Sequence, residues 1–492
     1  MSSQIKWITA HLFYSAMQCP RLSWLSFKNN IPVKSGYTHF FADEIQYIIQ
    51  LLTANDPHTQ FIDSDLPIQS RYDATILQLN RHGNIANGCL CWQQFTCKID
   101  LLSYINDEWV LTYVHPGFRL QKKDYIIIAY ITHLLAKHSI TLSKIQLMTI
   151  NEHYKRTDTL AINELCITSD ITHKIQPIVT VIASKMNVLA TQLALKNAPE
   201  IPFDLYCIKP NTCQFLSTCS PHLGSNSILK LSGLSKQKKV NLVQNNVTSI
   251  HDIALHTTLS HKQAIQVSCK LDQKPFYDDK LIKTFLNELH FPLYFMDFEI
   301  AQFIVPPFKG LRPLHQLPFQ YSIHILDHID AEPIHIDFLH QFSDNPEPYF
   351  AQKLTQDIPK NVPIIVFNDN LEKLILRYLQ TQFSSYAACL QRISTQLIDI
   401  SHLFINNAYY HPKMNGKYSL KNIYAAIAEN DTMQFKSLHI QNGEAANIAY
   451  KRYLYETDTQ QRHMIVNQLS DYCQLDTYAM VKIIKHLFQV IN

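Results

Sequence analysis

Glycine is nearly absent from this chain, with nine residues in 492, against an ordinary usage of about 7%. That excludes collagen-like and glycine-linker architectures. It also disfavours phosphate sites on glycine-rich loops, which need residues without a Cβ where the backbone meets the ligand. No G-x-G-x-x-G or Walker-type run occurs. The remaining composition is that of a folded protein: 46% hydrophobic and 11% aromatic residues can bury sizeable cores. At roughly 150 residues per domain, the length suits about three domains or two large ones. A net charge of +3 does not by itself mark a nucleic-acid binder, although 24 histidines would add positive charge below neutral pH.

The opening MSSQIKWITAHLFYSAMQCP lacks the charged and long apolar regions of a secretory signal. The most apolar run, Tyr125–Leu135, is about eleven residues against the roughly 20 needed to cross a bilayer, so it reads as a buried element. Eleven cysteines, an odd number without secretory context, point to reduced thiols or metal ligation. The expectation is a cytoplasmic protein, with export by a route that cleaves no signal left open.

Three blocks differ in texture. Residues 1–222 mix strands, such as Phe95–Tyr104 and Trp109–Val114, with helices around Asp124–Lys137 and Ile171–Lys196. Residues 223–288 are polar and helical, a connecting module. From 289 to 492, FPLYFMDFE reads as a buried strand, QYSIHIL and IHIDFLHQF as a hairpin pair, and VPIIVFN as another buried strand. Helices follow, ending in an amphipathic one over Met464–Val490. Strands alternating with helices predict α/β domains with mixed sheets.

The sharpest motif is Asp297-Phe298-Glu299 at the end of the run Phe291–Met296. Residues two apart on a strand face the same side, so both carboxylates project together while Phe298 turns to the core. Two ionised acids on one face are costly unless a divalent cation neutralises them. Asp-x-Glu pairs are also common on surfaces, so the accompanying acids matter. Asn368 ends the next buried strand and Glu372 begins a helix. Asp399 closes another apolar strand. Tyr472 and Asp476 share a face of the terminal helix. Each acid alone could be an N-cap or a solvated group.

Together, Asp297-x-Glu299, Asn368-x-x-Leu371-Glu372 and Tyr472-x-x-x-Asp476 resemble the signature of DnaQ-like (DEDD) 3′–5′ exonucleases of the Tyr-containing subclass, on an RNase H-like fold. The strings YFMDFE, RPLHQLPFQYSIH, FNDNLEK, YYHP, KYSLK and YCQLDT also resemble a bacterial family of unknown function. That family joins such a domain to an N-terminal RecB-like, PD-(D/E)XK iron–sulfur nuclease region. The resemblance spans essentially the whole chain and is strongest over about 291–485. It implies two-metal phosphodiester hydrolysis at DNA or RNA ends, single-stranded ones foremost, with two Mg²⁺ or Mn²⁺ ions about 4 Å apart. Asp297, Glu299 and Asp476 would hold the first ion, with Asp297 bridging. Glu372 would support the second and Tyr472 would orient the nucleophile. Glu372 departs from the Asp usual in that superfamily. Asp399 fits a secondary, structural acid; Lys421, Arg312 and Gln320 are candidates for contacts to phosphate or to the acids, with structural roles equally open.

Cys207, Cys213 and Cys219 lie within 13 residues, so three thiols could wrap one metal centre, with Cys19 in MQCPRLSWL as the fourth. One early and three late cysteines resemble the [4Fe–4S] staple of RecB-like nucleases, and four thiolates equally suit Zn²⁺. Cys89, Cys91 and Cys97 read as packed strand residues. In the same superfamily an Asp precedes a Glu-x-Lys strand. Asp100 matches the Asp, but Tyr113 and His115 stand where Glu and Lys are expected, and Ile128 stands near an expected Gln. A phenol with a pKa of about 10 cannot replace an anionic ligand, so this domain is expected to serve as a scaffold or nucleic-acid-binding platform. Two further readings stay open: a catalytically silent binding or interaction protein, and a hydrolase of small nucleotides. If the chain handles phosphates, carboxylate-held cations on a strand and a helix should do it.

Overall fold

The computed structural model describes residues 6–33, 40–428, 431 and 434–491; the first five residues of the N-terminal stretch read above lie outside them. The chain divides into two compact units. One comprises 1–202, 210–215 and 303–315; the other comprises 203–209, 216–302 and 316–492. This partition cuts across the three blocks of sequence texture: the polar block after 222 joins the C-terminal unit.

The first unit is built on a seven-stranded sheet. Its strands are β1 (Ile8–Thr9), β2 (Thr59–Phe61), β3 (Asn84–Trp92), β4 (Phe95–Ile105), β5 (Glu108–Val114), β6 (Leu142–Ile150) and β7 (Cys166–Asp170). The order is β2-β3-β4-β5-β6-β7, with β1 parallel to β4. Strands β3 to β5 form an antiparallel meander. The second turn is Asn106-Asp107, both at positive φ, the mirror-image geometry that matches strand twist. The helix Lys122–Lys137 then returns the chain so that β6 runs parallel to β5. This helix holds the most apolar run, and Ile126–Ile131 are all buried, as its length predicted. Gln121 and Asp124 close a capping box at its start. The helix Thr172–Ala194 is long and apolar enough to cross a membrane by length and composition, yet it packs Ile175, Ile182, Met186, Leu189 and Leu193 into the core. The segment 303–315 belongs here because Glu44 Oε2 accepts the Ile304 and Val305 N–H groups at 2.7 and 2.9 Å.

The second unit contains β8 (Phe276–Tyr277), β9 (Leu293–Ala301), β10 (Leu317–Leu326), β11 (Ile334–Leu339), β12 (Ile364–Val366), β13 (Leu397–Asp399) and β14 (Tyr409–Tyr410). Five of them form a sheet ordered β11-β10-β9-β12-β13. The first three are antiparallel neighbours, whereas β12 and β13 run parallel to β9. The two-residue period of β9 decides the layers. Tyr294, Met296 and Phe298 face one side, packing with Phe350, Leu354, Leu376 and Leu390. The alternate residues, including Asp297 and Glu299, face the side covered by the helix Thr459–Ile491. The polar block forms its own small core around Ile228, Leu231, Val243 and Ile253. One of the few glycines is needed here: at Gly416 (φ +71°) an added Cβ would lie 1.9 Å from the Lys230 carbonyl oxygen.

Candidate metal centre

Asp297 and Glu299 leave the middle of β9 on its helix-covered face, while Phe298 packs edge-on against Phe350 on the other at 5.0 Å. Across the sheet, β10 places Ser322 beside Asp297 and Gln320 beside Glu299. Both fix the terminal helix. Gln320 Nε2 donates to the Leu469 carbonyl at 3.1 Å. Ser322 Oγ and His324 Nδ1 each lie 2.7 Å from Thr477 Oγ1, and His335 Nε2 is 2.9 Å from Ser322 Oγ. Pinned above and below, the helix presents Tyr472, Cys473 and Asp476 to the acids. Carboxylate oxygens of Asp297 and Glu299 and the Cys473 sulfur all lie within 4.8 Å of one another.

Glu372 joins them from the first turn of the helix Asn370–Gln382. The backbone N–H of Phe298, the residue between the two β9 acids, lies close enough to draw the Glu372 pKa down slightly against burial, and Glu372 Oε2 is buried without a partner. Glu299 and Asp476 are 6% exposed and Glu372 3%. Asp297 is half-buried.

Crowding these acids in a desolvated layer opposes their charge. Burial, then Asp476, Glu299 and Glu372, hold Asp297 well above the usual carboxylate range. Burial and Asp476 do the same to Glu299. Burial pushes Glu372 up to about 8. It pushes Asp476 up to about 6, against the Lys421 ammonium and a Tyr472 hydrogen bond that pull the other way. Lys421 is the one cation acting on Asp297, Glu299 and Asp476 among the described residues. Its Nζ donates to the Tyr472 hydroxyl at 3.1 Å and to the Gln441 carbonyl, and lies 4.5 Å from the Tyr472 ring centroid. One ammonium against four carboxylates leaves a negative deficit that divalent cations fit, as does the orphaned Glu372 oxygen. The Cys473 thiol is held protonated, by burial first and then by Asp297, Glu299 and Asp476; hard cations take oxygen, so it is a neighbour of the site.

The remaining candidates lie as follows. Asp399 turns inward, accepting the Asn368 and Ser401 N–H groups at 2.9 and 2.8 Å, a structural role. Gln320 acts as a strut for the helix. Arg312 lies on the segment 303–315, in the other compact unit. Cys19 caps the helix Pro20–Asn29, its sulfur accepting the Leu22 N–H at 3.4 Å. Burial raises its pKa, and Cys213, in the same unit, adds to the rise. Cys207 and Cys219 fall in the second unit.

In the first unit, Asp100 Oδ2 accepts the Val114 N–H at 3.0 Å and pairs with Lys98 at 3.3 Å. Burial, then Asp100 and Asp124, push the Tyr113 phenol well up, so it stays neutral. Sequence reasoning missed the buried pair His115–Asp124, 3.4 Å apart. Its available signal was Gln121-x-x-Asp124 ahead of an apolar helix. Sequence reasoning also missed Cys473, and Gly443, where an added Cβ would lie 3.8 Å from Glu299 Oε2.

Comparison with known proteins covers parts of the chain. Residues 294–419 match a family model described as a domain of unknown function (DUF2779); the match includes Asp297, Glu299, Glu372 and Asp399 and stops before Lys421, Tyr472 and Asp476. An uncharacterized protein of Mycoplasma genitalium is 24% identical over 238 residues, which is 45% of this chain and 35% of the relative. The chain thus spans about a third of that relative's length.

Proposed function

We propose that the second unit is a metal-dependent 3′–5′ exonuclease domain of the RNase H-like, DnaQ-like type, acting on DNA or RNA ends. The observation that carries this reading is the convergence of Asp297, Glu299, Glu372 and Asp476 in one desolvated layer with raised proton affinities. The sheet order, with one strand antiparallel to the four others, supports the fold assignment.

Asp297, Glu299 and Asp476 would hold one Mg²⁺ or Mn²⁺ ion, with Asp297 and Glu372 serving a second. When bound, such a pair supplies nucleophile activation and charge stabilisation for phosphodiester cleavage. The chain's own groups set the rest. Burial, then Asp476, Glu299 and Asp297, hold the Tyr472 proton tightly, so its phenol can orient a water but not deprotonate it. Lys421 donates to that hydroxyl. Ser322, Thr477 and Gln320 keep the helix in register with the strand, so that Asp476 stays within electrostatic reach of the β9 acids.

For the first unit we propose a nucleic-acid-binding platform without its own chemistry, supported by the neutral Tyr113 at the position of an expected acid. The test uses end-labelled single- and double-stranded DNA and RNA with Mg²⁺ or Mn²⁺. Wild type should shorten the 3′ end, and Asp297→Ala or Asp476→Asn should abolish cleavage while the protein stays folded. Cleavage retained in both variants would overturn the assignment.

A further inference from the structure

The turn between the helix Ile68–Asn80 and β3 lines an open groove of about 680 Å³ in the first unit, within the ~300–1,000 Å³ range of small-ligand sites. Its chemistry is uneven. The acid beside it, Asp56, is consumed by donors from its own loop and strand: Thr59 Oγ1, the His58 N–H at 2.9 Å and Asn84 Nδ2 at 3.0 Å. Asn84 Oδ1 is likewise occupied, by the Tyr104 N–H at 2.8 Å. Arg81, by contrast, makes no ion pair or side-chain hydrogen bond among the described residues, and it is exposed at the groove with His58 and His82. The open face therefore carries cationic and aromatic groups without a free carboxylate.

The aromatic wall is held by an unusual backbone. His82 occupies the left-handed region at φ +55°, where a non-glycine residue is uncommon and costs strain. That conformation sets its ring 4.6 Å from Tyr104, which in turn lies 4.9 Å from Trp109. His82 and Trp109 are near parallel, at 25°. A guanidinium beside the tilted His82 and Tyr104 rings, backed by the buried Trp109 and with side-chain amides between, suits a ligand that is planar at one end and anionic at the other.

We propose that this groove binds one nucleotide unit, with the base against His82 and Tyr104 and the phosphate on Arg81. The proposal does not rest on the nuclease reading, since it concerns the other unit and is tested without divalent cations.

The full chain in EDTA is titrated with two probes, 5′-AMP and a short fluorescein-labelled single-stranded oligodeoxyadenylate. The readouts are tryptophan fluorescence and anisotropy. Two substitutions spare the fold: Arg81→Glu at an exposed site, and His82→Gly, which relieves the positive φ. Each should weaken binding by about tenfold or more. Arg81→Glu should also flatten the salt dependence by about one counterion. Binding of both probes supports a site that takes free nucleotides, and binding of the oligomer alone supports one that reads a nucleotide within a strand. Wild type that binds neither probe at millimolar concentration, or both variants with unchanged affinity, overturns the proposal. Loss confined to Arg81→Glu overturns the base-stacking assignment.

Discussion

Replacing Asp476 by Asn should stabilise the metal-free protein at neutral pH, the reverse of what removing a buried charged group usually does. The folded-state pKa of Asp476 is pushed up to about 6 from an ordinary 3.8. Between those values the folded state binds more protons than the unfolded state, so stability falls as pH rises through this window. Above pH 6 the penalty levels off at about 3 kcal/mol. Asn keeps the acceptor for the Tyr472 hydroxyl and lacks the charge, so the variant escapes the penalty. Because the four acids interact, removing one charge also relieves the others, and ~3 kcal/mol is a working figure for the group. For a unit of this size that is a rise in Tm of about 5–10 °C. Thermal melts of both proteins in EDTA should therefore diverge at pH 8 and converge near pH 4. Mn²⁺ should reverse the order at pH 8: an ion at about 1,000 times its Kd adds about 4.1 kcal/mol to wild type and much less to the variant. A variant less stable than wild type in EDTA at pH 8, with the same response to Mn²⁺, would refute the reasoning that these carboxylates are held apart from their preferred charge state.

Two further outcomes follow from other parts of the structure. Burial, and then His335, lower the His324 pKa to about 3. Its unfolded value is near 6.5, so its contribution is complete above pH 6.5 and is lost as pH falls toward 3, about 2 kcal/mol by pH 5; His324→Gln should flatten the acid limb of a denaturation series. Glu44→Ala strips the acceptor from the Ile304 and Val305 N–H groups. It should cost about 2–4 kcal/mol and expose the segment 303–315 to limited proteolysis ahead of global unfolding.

The site's two halves differ in how far they could be read from the chain. The apolar run ending at Asp297-Phe298-Glu299 announces both a buried strand and a shared face, because strand period alone fixes that geometry. Tyr472 and Asp476 are readable for the same reason, since four residues on a helix return to one side. Glu372 is visible as a helix start, but its contact with the Phe298 N–H depends on β12 lying next to β9, a long-range pairing. Cys473 hides between the two residues that drew attention. Lys421 could be named, whereas its grip on Tyr472 could not, because 51 residues separate them. The segment 303–315 groups with the unit other than the one that flanks it on both sides, tied there by Glu44, Arg156, the Lys309–Asp158 pair and the packing of Ile304 and Val305, and no local pattern encodes that. The four proposed cysteine ligands divide between the units in the same way.

The pinning of the helix Thr459–Ile491 to β10 also has a consequence during synthesis. β9 leaves the ribosome with two of the acids, and Glu372 follows, yet Asp476 and the Thr477 hydroxyl that locks it arrive only after most of the unit has been made. Until then the β9 carboxylates have neither their last partner nor the helix that shields them from water, so they should titrate as ordinary exposed acids. A nascent chain stalled before residue 459 should thus bind divalent cations feebly. Capacity for two ions should appear abruptly once the helix docks, which makes cation affinity a reporter of completed folding.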